Sequence, residues 1–358
     1  MLCTALLLIT GLIVLFAASY YNAQDKGSAL SEVWSQLLGV AVGVCGMAVV
    51  LRLDYQLLKK PWVSGGLVGI SVVLLILVAI PGIGRYVNGS RRWLVVGPIT
   101  FQPSEMAKYA AIVFMARALS SGTRDVRNFF TRVVPLFAVP GLMFLLILMQ
   151  PNLSTAGSIL IVSVILVAMA GVRWRYLLML GVGGACLGTF YALSEEYRRA
   201  RLMSFTHPFD FLTNEGYQLS QSLMAFGSGG WFGMGLGKGR QKYAFLPYPE
   251  SDFIFASIAE DFGLFGCIAV IALFVLFVYA GIRVALRCPD RFGCLLAAGI
   301  TAMIGVQAFL NMGVVVGLLP TTGLPRPFFS AGGTSVSIFM AAVGVLLNIS
   351  RFDEMRVR

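Results

Sequence analysis

Arg240-Gln-Lys-Tyr-Ala-Phe-Leu-Pro-Tyr-Pro-Glu-Ser-Asp252-Phe-Ile-Phe-Ala256 carries a cluster of charges and two prolines up to the edge of an apolar run that continues to about residue 282. As one helix a run of about 30 residues is about 45 Å long. That exceeds the roughly 30 Å of hydrocarbon in a bilayer, so its first turns are expected at the interface, or the helix is expected to break near Gly263. Asp252 then stands where water, headgroups and hydrocarbon meet, and an ionisable group there is costly unless it is used or paired. A plainer reading makes Asp252 or Ser251 a helix cap. The helix N-terminus stabilises the carboxylate, partial burial destabilises it, and the sequence does not decide between them.

Working outward, 58% of the 358 residues are hydrophobic and only 12% are charged, with a mean hydropathy of +0.84. Soluble domains hold roughly a quarter charged residues, so the chain is expected to be an all-α polytopic membrane protein. At about 20 residues per span about ten transmembrane helices fit. They are expected near 2–19, 34–51, 62–80, 103–119, 133–150, 155–171, 177–194, 253–282, 292–318 and 332–349. Residues 1–358 read as a single transmembrane domain, and no cleavable signal peptide is expected at the first span.

The net charge of +11 does not point to nucleic acid, because the basic residues are dispersed over short loops. Loops and tail on one side collect 15 basic and 5 acidic residues, against 12 and 11 on the other. By the positive-inside rule both termini are cytoplasmic. The large loop between helices seven and eight, about 195–251, is then extracellular, as are 81–102 and 319–331. The six cysteines show no CxxC spacing and read as small core residues, and a single histidine, His207, forms no metal cluster. No local metal-ligand set is visible and no cofactor is expected, although a divalent cation could assist a diphosphate.

Several constellations carry possible chemistry. Arg91, Arg92 and Trp93 suit a diphosphate headgroup, since guanidinium pairs bidentately with phosphate oxygens, or else simply anchor the interface. In Gln102-Pro103-Ser104-Glu105-Met-Ala-Lys108, Glu105 and Lys108 lie three apart on one helix face at the start of a span, and an ion pair facing the bundle is expected. Pro103 suits the first turn of that helix. Gln150-Pro151-Asn152 reads as a tight turn whose Asn caps the next helix. The glycine run Gly227 to Gly239 is not a Walker or dinucleotide loop; it allows close backbone approach to a ligand or another helix. Lys238, Arg240, Gln241 and Lys242 follow it as phosphate-binding candidates, with headgroup snorkelling as the alternative for the basic three. Glu260 and Asp261 are expected to face protein or water.

Taken in order, these segments resemble the SEDS family (shape, elongation, division and sporulation), which includes FtsW, RodA and SpoVE. The resemblance rests on Arg91-Arg92-Trp93, Gln102-Pro-Ser-Glu105 with Lys108, Gln150-Pro151, Gly216-Tyr-Gln-Leu-Ser-Gln221-Ser222, Leu246-Pro247 with Asp252-Phe-Ile-Phe-Ala, and Pro320-Thr-Thr-Gly-Leu-Pro-Arg-Pro-Phe leading through Ser330 to Gly332-Gly333. Arg240-Gln-Lys242 is more similar to the division and sporulation branch. The resemblance implies a bacterial plasma-membrane glycosyltransferase of cell-wall biogenesis that polymerises lipid II, with a class B penicillin-binding protein as partner. It implies Asp252 as the essential acid and Arg91, Arg92, Trp93, Gln102, Glu105 and Lys108 as a second functional cluster; Ser104, Lys238, Arg240, Gln241, Lys242 and Ser330 complete the expected substrate-binding set. The chain departs from the family pattern at Asn152, where Asp is usual, and at Tyr248, Ser251, Arg326 and Ala331. A lipid II flippase, favoured by the deep acids Glu260 and Asp261, and a catalytically silent scaffold are the alternatives.

Overall fold

The computed structural model describes residues 1–26, 31–87, 90–97, 99–121, 133–194, 196–210, 216–239, 241, 252–321, 327–329 and 333–354. Twelve helices are described: α1 (Leu2–Lys26), α2 (Ser31–Arg52), α3 (Pro61–Ala79), α4 (Pro103–Ser120), α5 (Ala138–Leu148), α6 (Leu153–Met169), α7 (Trp174–Leu193), α8 (Glu196–Thr206), α9 (Tyr217–Gly229), α10 (Ile254–Arg287), α11 (Arg291–Val315) and α12 (Gly333–Glu354). Helices stand at all ten expected span positions. Five stretches, Val33–Arg52, Pro61–Ala79, Ile254–Arg287, Arg291–Val315 and Gly333–Phe352, are long and apolar enough to cross a membrane. Apolar side chains on α10 such as Ile268, Val275 and Leu276 are half exposed, as suits a helix long and apolar enough to cross a membrane.

Contacts gather the chain into two compact units, 1–37 with 181–277 and 307–332, and 38–180 with 278–306 and 333–358. In the second unit α3, α4, α5 and α6 pack together. There α2 meets α12 through glycines: a Cβ on Gly344 would lie 3.1 Å from the Met47 backbone. Such close approach is what small residues permit between helices in lipid.

Segment 81–102, expected only as an outer connection, folds into an antiparallel sheet of β1 (Gly84–Val87), β2 (Ser90–Val96) and β3 (Ile99–Phe101), in the order β1-β2-β3. Its strands are only three to seven residues long and are broken by Gly and Pro, so no sustained alternation marks them. Within 195–251, expected as an extended loop, α8 and α9 form instead. Helix α9 buries Leu219, Ser222, Ala225 and Gly229 at three- and four-residue spacing. That is a helical face made mostly of small residues, and hydropathy does not register it.

The cysteine expectation is corrected. All six are free thiols, but only Cys267 is buried, while Cys45 and Cys186 are exposed along helices. The break in α10 falls where the excess length placed it, with Gly263 at φ 65° and ψ −161° inside the helix.

The 53–60 connection is fixed by side chains from far along the chain. The Asn348 amide donates to the carbonyls of Val50, Leu51 and Leu53 at 3.2, 3.1 and 2.7 Å and accepts the Tyr55 N–H at 3.3 Å. The Tyr55 hydroxyl donates to Asp290 Oδ1, and Asp290 Oδ2 accepts the Gly293 N–H at 2.9 Å, capping α11. Burial pushes the Tyr55 phenol above its ordinary value and the Cys288 thiol up to about 11. Burial would also raise Asp290, but hydrogen bonds led by the Tyr55 hydroxyl and the Gly293 N–H outweigh it and hold the carboxyl below its usual value. A carboxyl depressed on folding stabilises the fold above its unfolded pKa of about 4 and loses that contribution as pH falls through the folded value. Asp290→Ala is therefore expected to destabilise by about 1–2 kcal/mol at pH 7. In thermal unfolding the gap from the parent should narrow once pH drops below about 4. A gap independent of pH would mean the charge contributes nothing.

Candidate functional site

The expected ion pair forms. In α4 Lys108 Nζ lies 2.7 Å from Glu105 Oε1, and both side chains are wholly buried. Lys108 also lies under the Phe339 ring, 5.3 Å from its centroid. Pro103 occupies the first helical turn and Gln102 the N-cap position without a side-chain cap bond. The turn leaves oxygen atoms unsatisfied. Gln102 Oε1, Ser104 Oγ and Glu105 Oε2 are buried and have no hydrogen-bond partner among the described residues. Native structures pair nearly all such atoms, so three within four positions leave acceptor capacity for donors from outside the protein. Sugar hydroxyls and amides are donors of that kind.

Arg91, Arg92 and Trp93 lie on strand β2, partly exposed; Arg91 and Trp93 pair with Tyr86 and Arg85 of β1, and Arg92 is the extra residue at a bulge between them. Arg92 Nε donates to the Gln150 carbonyl at 3.0 Å and a terminal nitrogen donates to Pro151. Arg92 thus braces the turn between α5 and α6, where Gln150 Nε2 donates to the Leu75 carbonyl at 3.2 Å. As expected, Asn152 caps α6, its Oδ1 accepting the Thr155 N–H at 3.3 Å. Arg91 pairs across the sheet with Tyr86 and rests its guanidinium 5.6 Å from that ring. Arg92 is thus held on main-chain carbonyls of the α5–α6 turn, whereas the Arg91 guanidinium rests on a ring.

These groups belong to the second unit. Asp252, Lys238 and Gln241 belong to the first. Asp252 is partly exposed and stands two residues before α10, while every residue from Phe253 to Asp261 is buried. Its carbonyl accepts Asn311 Nδ2 at 2.8 Å. Asn311 and Gln307, buried one helical turn apart in α11, were missed by sequence reasoning; two amides at i and i+4 inside an apolar span were the available signal. Arg240, Lys242 and Ser330 lie outside the described residues.

The glycine run approaches a helix. At the Gly263 break the helical bonds from Leu264 and Phe265 back to Glu260 and Asp261 are not made. The Met234 and Gly235 N–H groups donate to the Glu260 and Asp261 carbonyls at 2.9 and 3.0 Å. The Leu264 and Phe265 N–H groups donate to Gly230 and Trp231 at 2.9 and 3.2 Å. Four backbone groups freed by the break are thereby satisfied, as burial requires. Gly233, at φ 81°, has the Asp261 carbonyl where a side chain would stand. Trp231 and Phe232 pack on Phe265 with centroids 6.1 and 5.2 Å apart. Glu260 is fully buried and its Oε1 accepts the Gln241 N–H at 2.9 Å. Among the described residues no group of three or more His, Cys, Asp or Glu side chains is placed to hold a metal ion.

A family model described as "Cell cycle protein", for FtsW, RodA and SpoVE, matches residues 1–355. Stage V sporulation protein E of Bacillus subtilis (strain 168) is 40% identical over 352 residues, 98% of this chain and 96% of that protein. A probable peptidoglycan glycosyltransferase FtsW of Geobacter metallireducens is 39% identical over 341 residues, 95% of this chain and 90% of the relative. Among solved structures, a chain from work on the structural coordination of polymerization and crosslinking by a peptidoglycan synthase complex superposes with a TM-score of 0.79 at 28% identity, covering 98% of this chain and 97% of that one. The rod shape determining protein RodA of Thermus thermophilus gives a TM-score of 0.66 at 28% identity, over 96% of this chain and 95% of its own.

Proposed function

From the family to which this chain belongs, the SEDS proteins FtsW, RodA and SpoVE, we infer that it is a peptidoglycan glycosyltransferase polymerising lipid II, with Asp252 as general base at the outer face of the plasma membrane. The observation that carries the catalytic assignment is the setting of Asp252. It is an ionisable, partly exposed side chain on a backbone pinned by Asn311, at the head of a helical segment buried on every side.

The chemistry asks for one base and several cations. A sugar hydroxyl of one lipid II attacks the anomeric carbon of the glycan chain carried on a lipid diphosphate. The new glycosidic C–O bond forms as the bond to the diphosphate oxygen breaks, and the hydroxyl proton passes to the Asp252 carboxylate. The departing diphosphate needs positive charge rather than an acid, and Lys238, in the same unit as Asp252, is the described cation assigned to it. Gln102, Ser104 and Glu105 take donors of the sugar and peptide through their unsatisfied oxygens. A single base with cations suits this transfer better than the carboxylate pair of glycoside hydrolysis.

Ten spans, cytoplasmic termini and an outer 195–251 segment are the topology that goes with this reading, supported by the distribution of basic residues. A flippase would use deep acids along a path. Here the Glu260 side chain bonds the backbone at Gln241 instead, which favours the enzyme.

For a partner we assign a class B penicillin-binding protein, a transpeptidase able to cross-link the polymer. The structurally similar chain from a peptidoglycan synthase complex supports this. Small residues allow close helix approach in lipid, and on α10 Ala269 is exposed and Gly266 partly so; on α11 Ala302 is partly exposed, while Met303 is wholly buried and offers no docking surface. Purified protein incubated with lipid II, alone and with the transpeptidase, should yield glycan polymer; lipid II left intact in both would sink the reading.

A further inference from the structure

Glu260 is a buried carboxylate that the transfer mechanism does not use, and it bonds the segment leading to the phosphate-binding cations. The backbone of residues 230–235 is fixed to α10 by the four bonds across the Gly263 break. Beyond it the Lys238 N–H turns back to the Gly235 carbonyl at 3.0 Å. Gly239 then lies against the Glu260 carboxylate so closely that no side chain fits between them. The Gln241 N–H ends the approach on Glu260 Oε1 at 2.9 Å. Lys238 stands exposed in the middle of this stretch.

We propose that Glu260 is a positioning residue: its carboxylate pins the backbone at Gly239 and at Gln241 to the helix that Asp252 precedes, and so fixes the Lys238 cation where the lipid diphosphate departs. The inference rests on the glycosyltransferase reading and extends it to a residue one step away from substrate. What the pin requires of position 260 is an acceptor oxygen, not a charge. An anion buried for transport or proton relay would require the charge itself.

Glu260→Gln keeps an acceptor for the Gln241 N–H and should polymerise lipid II at close to the parental rate. Glu260→Ala should lower kcat and kcat/KM together by roughly tenfold, the pattern of an interaction realised in the transition state. Gly239→Ala, which forces a methyl against the carboxylate while leaving Glu260 intact, should reproduce that loss and serves if Glu260→Ala does not fold. A nitroxide at Lys238→Cys, in protein whose six native cysteines are replaced, supplies a readout that needs no turnover. Its spectrum should be broad in the parent, as for an immobile label, sharpen as the label becomes mobile with Glu260→Ala or Gly239→Ala, and stay broad with Glu260→Gln. An immobile label in the first two variants, or Glu260→Gln as inactive as Glu260→Ala, would overturn the pin. Absence of polymer from the parental protein would instead fault the glycosyltransferase reading, while the spin-label spectra still judge the positioning.

Discussion

Lipid II polymerisation by the Asp252→Asn protein is expected to fall by at least about 100-fold, within the range for loss of a general base. The substitution is close to isosteric and removes only the ability to accept a proton. The bond from Asn311 goes to the Asp252 backbone carbonyl and survives any side-chain change there. Helix α10 begins at Ile254, and as a helix cap the side chain at 252 contributes about 1 kcal/mol. Thermal unfolding should therefore be nearly unchanged for Asp252→Asn and Asp252→Ala, and lipid II affinity should be retained. Near-normal polymer from a folded Asp252→Asn protein would remove Asp252 from the base role.

The second large effect concerns the Glu105–Lys108 pair. Both side chains are fully buried and 2.7 Å apart, so removing one leaves an uncompensated charge inside the protein. Lys108→Met should cost about 3–5 kcal/mol of stability, a large fraction of the 5–15 kcal/mol typical of a folded domain. Replacing both partners by apolar groups of similar size is often neutral, because the desolvation cost disappears with the charges. The double variant Glu105→Leu with Lys108→Met should therefore recover most of the lost thermal stability. If Glu105 accepts from substrate as proposed, activity should not return with it, because its oxygen without a partner among the described residues is lost. A double variant that regained both stability and polymerisation would reduce the pair to a structural role.

The features most legible in the sequence were those carried by side-chain chemistry over short spacing. Glu105 and Lys108 at i and i+3, Asn152 as a cap, and the excess length that forced a break near Gly263 all declared themselves locally. The helix bearing Ser222 and Ala225 did not, because its buried face is small and polar enough to read as loop. Strands β1 to β3 were too short for an alternation to emerge. The glycine run showed that a backbone comes close to something, but its partner is a set of main-chain groups thirty residues on, and main-chain bonds leave no mark on residue identity. Asn311 illustrates the same limit. A single amide in an apolar span signals a polar partner without saying that the partner is the carbonyl of Asp252. Arg92 was read as a phosphate ligand from its type and place, while its observed bonds to Gln150 and Pro151 depend on a turn 58 residues away.

Polymer synthesis at the outer face can be measured apart from lipid transport in proteoliposomes whose lipid II is confined to the leaflet facing the 195–251 segment. The expected result is glycan polymer formed on that face with release of lipid diphosphate, lost in Asp252→Asn, and no lipid II appearing in the opposite leaflet. Transfer of lipid II across the bilayer without polymer, unaffected by Asp252→Asn, would contradict a glycosyltransferase built around Asp252.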